Sequence, residues 1–317
     1  MRLGVIGAMV WDTIHGRDGD LSAPPAEEWG GIAYSLSALE ATLPPAWEIV
    51  PLIKVGRDLA PAANQFLSGL TRRSAAARFI EVPEANNRVV LLYESAERRT
   101  ERLSGGVPGW RWPELGPMVR DLDAIYVNLI AGWELDLDTA QSLRRGFSGP
   151  IYADLHSVFL GVAGDGTRTP RRLSDIEAWF ACFDVVQLNE EEMALIGGAP
   201  MEVAARALGA GVQLLIVTLG PKGVVFFTQE PFQFLPRRAE ATARGPIRTA
   251  RIPVSAPGDG DPTGCGDVFG AAMTAGLLSG APLDETLATA NRLAGRNVAY
   301  RGASGLHRHL RGELARA

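Results

Sequence analysis

Short aliphatic runs alternate with longer stretches of helical periodicity along most of the chain, and this alternation restricts the fold more than any other feature. Strands are expected over Leu3–Ile6, Trp47–Ile53, Ala124–Asn128, Ile151–Asp154, Val185–Leu188, Leu214–Thr218 and Val224–Thr228. Helices are expected over Ile32–Ala41, Asp58–Ser68, Leu137–Arg145, Glu190–Ile196, Met201–Ala207, Val268–Ser279 and Leu283–Arg301. The strand runs are close to continuously apolar, so both faces of their sheet must be covered. Alternating strands and helices meet that demand with a mostly parallel sheet between two helical layers. Gly197-Gly198 and Gly280 follow helical runs, as helix stops do.

One segment breaks the alternation. Asn87–Glu94 and Thr100–Leu103 read as two strands around the polar turn Ser95–Arg99, with a further strand near Val10–Ile14. Such a hairpin is either a surface decoration or a binding element standing off the core. The 317 residues are expected to form a single α/β domain, with these strands, near residues 10–20 and 87–104, inserted in it.

Several function classes are disfavoured by composition. The net charge of −5 and the short, interrupted basic patches offer no field for nucleic acid. No apolar run approaches the roughly 20 residues needed to cross a bilayer. The start, Met1-Arg-Leu-Gly-Val-Ile-Gly, reads as a strand rather than a signal peptide. Two cysteines, Cys182 and Cys265, make no disulfide framework, so a cytoplasmic protein is expected. The histidines His15, His156, His307 and His309 show neither zinc spacing nor the logic of a Ser/His/Asp triad.

The densest chemical signal is Gly258–Phe269, Gly-Asp-Gly-Asp-Pro-Thr-Gly-Cys-Gly-Asp-Val-Phe, leading into a small-residue helix. Glycines let a ligand approach the main chain, and a helix N-terminus directs unpaired N–H groups at an anion. The N–H groups of Gly264, Cys265 and Gly266 are thus a candidate anion hole. Asp267 beside it would repel an anion unless it takes a proton from the group attacking that anion. The alternative is an ordinary acid in a first helical turn. Cys265 is read as a small filler, not a nucleophile.

Asp-Pro-Thr-Gly-Cys-Gly-Asp-Val-Phe resembles the C-terminal signature of the PfkB (ribokinase-like) carbohydrate kinases, usually Asp-Thr-x-Gly-Ala-Gly-Asp-x-Phe. Further segments follow in the family's order: Gly7–Asp12, Gly30-Gly31, Lys54–Asp58, Asn189-Glu-Glu-Glu192 and Val217–Gly223. The resemblance covers about residues 3 to 306. It implies a ribokinase-like three-layer α/β/α fold with a small β lid over the sugar, and an ATP-dependent kinase acting on a primary hydroxyl of a sugar or sugar-like alcohol. Asp267 would be its general base. Asn189, Thr218, Gly220, Gly223 and Asn291 would lie at the nucleotide. Glu192 would hold Mg²⁺ through water, and Asp261 would face a monovalent cation such as K⁺. Asn189 and Glu192 equally suit a helix capping box, and the two roles are compatible. Asp12, Gly30, Gly31, Ser35 and Arg88 would meet the acceptor. Ser35 stands where the family has an Asn, which weakens any inference to ribose. A homodimer through the lid is a further expectation.

Rival functions remain. A nucleoside kinase of the same fold would use Asp267 and need an aromatic base pocket, for which Trp11, Tyr34 and Trp133 are available. A sugar-binding protein without catalysis would not need Asp267. A dinucleotide-dependent oxidoreductase is disfavoured, because Gly4-Val-Ile-Gly7 lacks Gly-x-Gly-x-x-Gly spacing.

Overall fold

The computed structural model describes residues 1–15, 24–93, 99–229, 232, 245–254 and 260–314. Gly258 and Asp259 of the glycine-rich run, the tip of the lid turn, and residues 16–20 of the expected lid fall outside them.

An eight-stranded sheet forms the centre. Six strands run parallel, in the spatial order Leu214–Thr218, Val185–Asn189, Ile151–Asp154, Ala124–Asn128, Arg2–Ile6, Glu48–Leu52. Val224–Gln229 adds antiparallel to Leu214–Thr218, and Ile247–Ile252 lies antiparallel outside it. Alternate residues feed two cores. Leu3, Val5, Tyr126, Tyr152 and Ile216 join one cluster with the helices Ile32–Thr42, Cys265–Ser279 and Leu283–Asn297. Ile6, Val127, Ala153, Leu188 and Val217 join the other with Leu137–Gly146 and Pro200–Ala210. The near-continuous apolar strand runs thus reflect burial on both faces.

Four strands stand apart in the order Ala26–Gly31, Met9–His15, Arg88–Tyr93, Arg99–Ser104. They form the expected lid with one more strand than the sequence suggested, Ala26–Gly31. That strand carries two acids and a Trp before its glycines, so its alternation is hidden. A small hairpin, Leu160–Val162 with Arg168–Pro170, braces the lid through hydrogen bonding of Leu103 N–H to the Gly166 carbonyl. The helix expected over Asp58–Ser68 divides into a 3₁₀ turn, Arg57–Leu59, and a helix Ala60–Ser68, with Pro61 in its first turn. The last long helix stops at Asn297, short of Arg301.

Candidate active site

The parallel strands end on one edge, where an open α/β sheet places its ligands, and Asn189 and Thr218 are the last residues of two of them. The helix Cys265–Ser279 begins at this edge. Its cap, Gly264, has φ of 77°, the left-handed region that glycine enters without a Cβ penalty. A side chain there would also strike the Tyr34 ring at 2.4 Å. Asp267 occupies the first turn.

The anion hole needs one correction. Cys265 N–H donates to the Pro262 carbonyl at 3.0 Å, closing the turn that enters the helix. It is therefore engaged, and the N–H groups of Gly264 and Gly266 are left for an anion among the described residues. Burial pushes the Cys265 thiol up to about 11, with the Asp267 charge acting the same way, and its Sγ donates to the Ala294 carbonyl. The thiol is a filler rather than a nucleophile.

Beneath this helix lies a polar platform that the sequence reading missed. Asn128, Asp154 and Gln187 are register partners on three adjacent strands, with Tyr126 beside Tyr152 one pleat below. All five are buried. Gln187 Nε2 donates to Asp154 Oδ2 at 2.6 Å and to the Gly266 carbonyl at 3.1 Å; its Oε1 accepts from the Tyr152 hydroxyl. Asn128 Nδ2 donates to Asp267 Oδ1 at 2.6 Å. The sequence carried part of the signal, a polar residue near the carboxyl end of each otherwise apolar strand; their common height comes from the register.

Ser35 belongs to this platform, which corrects its assignment to the acceptor. It is fully buried, its Oγ 3.2 Å from the Tyr126 hydroxyl and 3.2 Å from Asn128 Nδ2, and it donates to the Asp267 carbonyl.

Asn189 and Glu192 form the capping box. Asn189 Oδ1 accepts from Glu192 N–H at 2.9 Å, and Asn189 N–H donates to Glu192 Oε2 at 2.8 Å. Glu192 Oε1 also takes His156 Nδ1 at 2.5 Å and Asn189 Nδ2 at 2.5 Å. Burial opposes the His156 imidazolium, but the Glu192 hydrogen bond and the charges of Glu192 and Asp154 outweigh it and raise His156 to about 9. Burial first, then the Glu192 charge, raises Asp154 to about 8. Both Glu192 oxygens already accept from protein donors. A directly coordinated ion would have to displace these donors, so any Mg²⁺ at this pair would be held through water. No cluster of three or more His, Cys, Asp or Glu suited to holding a metal occurs among the described residues.

Asp12 and Gly30 face each other across the lid strands. The carboxylate is buried and fills the space a Gly30 side chain would need: Asp12 Oδ2 lies 1.8 Å from where that Cβ would be. Gly31 carries the chain from the lid into the helix Ile32–Thr42. Arg88 pairs with Asp58 at 2.7 Å, both partly exposed. Thr218, Gly220 and Gly223 sit at the turn between Leu214–Thr218 and Val224–Gln229. Asn291 donates to the Ile252 carbonyl at 3.0 Å, tying its helix to the outer strand. Asp261 Oδ1 accepts from Thr263 N–H and Oγ1 and from the Tyr93 hydroxyl of the lid. Of the aromatics open to a base pocket, Tyr34 is buried against Gly264 and Trp11 packs edge-on to Trp29. Trp133 is 36% exposed.

The glycine-capped helix, the acid in its first turn and the lidded sheet edge define a ribokinase-like fold. Solved structures agree. A ribokinase of Arabidopsis thaliana complexed with ribose and ATP superposes with a TM-score of 0.67 at 18% identity, covering 98% of this chain and 97% of that one. A nucleoside kinase of Burkholderia thailandensis in complex with inosine gives a TM-score of 0.67 at 17% identity, covering 97% and 94%. By sequence, the chain is 24% identical over 232 residues to a ribokinase of Arabidopsis thaliana, which takes in 69% of this chain. The matched part is 54% of that relative, so the chain spans about half its length. The model of the pfkB family carbohydrate kinases matches residues 165–308. That match takes in less than half of the chain, and the likeness to the solved structures shows the fold.

Proposed function

We propose that this protein is an ATP-dependent kinase that phosphorylates a primary hydroxyl of a sugar or sugar-like alcohol, with Asp267 as general base. The observation that carries the reading is the placement of Asp267 in the first turn of a glycine-capped helix, at the same sheet edge as the lid that holds Asp12. The acceptor hydroxyl gives its proton to the Asp267 carboxylate as its oxygen bonds to the γ-phosphorus. The bond from that phosphorus to the β-bridging oxygen breaks, and ADP leaves. The N–H groups of Gly264 and Gly266 face the charge on the transferring phosphoryl group. Asp12, whose carboxylate occupies the space that Gly30 leaves, grips acceptor hydroxyls, and the turn Thr218–Gly223 meets the nucleotide. Glu192 and Asn189 would hold hydrated Mg²⁺, which neutralises charge on the donor phosphates. A monovalent cation at Asp261 would compete with the Thr263 and Tyr93 donors.

Tyr34 is buried and Trp11 is half-buried with its ring packed edge-on against Trp29, which favours a sugar over a nucleoside, since a base would have little aromatic surface besides Trp133. Among the described residues no helix is long and apolar enough to cross a membrane. A cytoplasmic location and a homodimer through the lid complete the proposal.

The test is a screen of sugars, sugar phosphates and nucleosides with ATP·Mg, with and without potassium, followed by Asp267→Asn on the best acceptor. General-base catalysis contributes about 10²–10⁴-fold, so kcat should fall by that order while nucleotide binding survives. Near-normal turnover would reduce Asp267 to a helix acid. Absence of any phosphorylated product, with sugar binding intact, would favour a non-catalytic sugar-binding protein.

A further inference from the structure

The residue that aims Asp267 lies on a different element. Asn128 is the last residue of the strand Ala124–Asn128, 1% exposed, and its Nδ2 is 2.6 Å from Asp267 Oδ1. The same Nδ2 lies 3.2 Å from Ser35 Oγ and 3.4 Å from the Tyr126 hydroxyl, while Oδ1 is buried without a hydrogen-bond partner. That arrangement fixes which end of the amide faces the acid. An ionised carboxylate only accepts, so the reversed amide would set two acceptor oxygens against each other at hydrogen-bond distance. The amide leaves its own carbonyl unsatisfied in order to keep its NH₂ on Asp267.

The consequence is rotational. The terminal torsion of an aspartate is broad and roughly two-fold, so position on the helix alone does not aim the carboxylate plane. A donor that grips Oδ1 sets that torsion and with it the direction of the second oxygen.

We infer that Asn128 is a positioning residue for the phosphoryl-transfer step, holding the Asp267 carboxylate in the rotation that presents it to the acceptor hydroxyl. Ser35 and Tyr126 hold Asn128 in turn. The inference rests on Asp267 being the base. A buried amide with a merely structural role would be indifferent to what Asp267 does, and this difference supplies the test.

Four proteins are compared with radiolabelled ATP and the best acceptor from the screen: wild type, Asn128→Ala, Asp267→Asn and the double variant. Asn128→Ala should lower kcat about 10–100-fold, with the KM values of both substrates within about twofold, because aiming is lost and binding is not. The double variant should be no slower than Asp267→Asn alone, since there is no longer a base to aim. Asn128→Ser, which keeps a donor and a smaller cavity, should fall between, and it replaces Asn128→Ala in the cycle if circular dichroism shows that variant unfolded. Additive losses in the double variant, or a loss confined to KM, would overturn the positioning role while leaving the base assignment standing. An Asp267→Asn variant with near-normal turnover would overturn both.

Discussion

Gly270→Ala sets two physical effects against each other at a position where the structure decides the outcome. Gly270 lies inside the helix Cys265–Ser279, one turn beyond Asp267. Helix propensity alone predicts that alanine stabilises by about 1 kcal/mol. The structure predicts the opposite sign. A Cβ at Gly270 would lie 2.8 Å from Gln187 Oε1 and 2.9 Å from the Tyr126 hydroxyl. Neither atom can yield easily: Gln187 is held by Tyr152 and Asp154, and Tyr126 is a rigid, fully buried ring. Overpacking of this kind costs about 1–3 kcal/mol. Displacing the Gln187 amide puts a further hydrogen bond of about 1 kcal/mol at risk. Packing wins, by a net of about 1–3 kcal/mol. For a chain of this length that lowers Tm by roughly 2–6 °C. Because the helix must lift from the platform that supports Asp267, kcat should fall too. The control is Gly209→Ala, inside the helix Pro200–Ala210, where an added Cβ meets nothing within 4 Å. There the propensity term acts alone and should raise stability by about 0.5–1 kcal/mol. Scanning calorimetry on both variants is the assay. A Gly270→Ala protein that melts at or above wild type, with normal kcat, would refute the claim that this helix is seated on the Tyr126–Gln187 contact.

The other predictions concern the acceptor, the metal and the proton balance. Asp12→Ala leaves acceptor hydroxyls without a charged partner, a loss of about 1.5–3 kcal/mol. The acceptor KM should rise at least about tenfold with the ATP KM little changed; a rise confined to ATP would remove Asp12 from the acceptor site. Glu192→Gln keeps a capping side chain but gives up the charge, so the Mg²⁺ concentration for half-maximal activity should rise. A magnesium titration matching wild type would leave the pair as a cap alone. His156 is raised in the fold from 6.5 to about 9, so its contribution is fully present below 6.5 and lost as pH rises through about 9. Asp154, raised to about 8, holds a proton that the unfolded chain releases, and so acts in the same direction. Thermal stability should therefore decline from neutral to alkaline pH, and His156→Gln should flatten the upper part of that decline. A Tm constant from about pH 6.5 to 9.5 would count against the His156–Glu192 pair.

The chain by itself determined the layer architecture, because strand runs apolar on both faces and helices that alternate with them admit few other arrangements. It determined the helix that carries Asp267, since Gly264, Cys265 and Gly266 specify a tight turn into an apolar run over a handful of residues. It also gave the Asn189–Glu192 cap, another short-range pattern. Only the tertiary structure decided the rest. Cys265 N–H is taken by Pro262, a contact set by how the turn closes. Ser35 points into the core because its helix packs under the Cys265 helix, with Tyr34 filling the space beneath Gly264. The row Asn128, Asp154 and Gln187 comes from three strands far apart in sequence, and the parallel register brings them to one height. His156 reaches Glu192 by the same register, so its spacing in the sequence carried no hint of the pair. Local periodicity and turn chemistry act over a few residues and can be read from the sequence. Juxtaposition across a parallel sheet depends on long crossovers, and nothing in the linear order encodes which strand ends will meet.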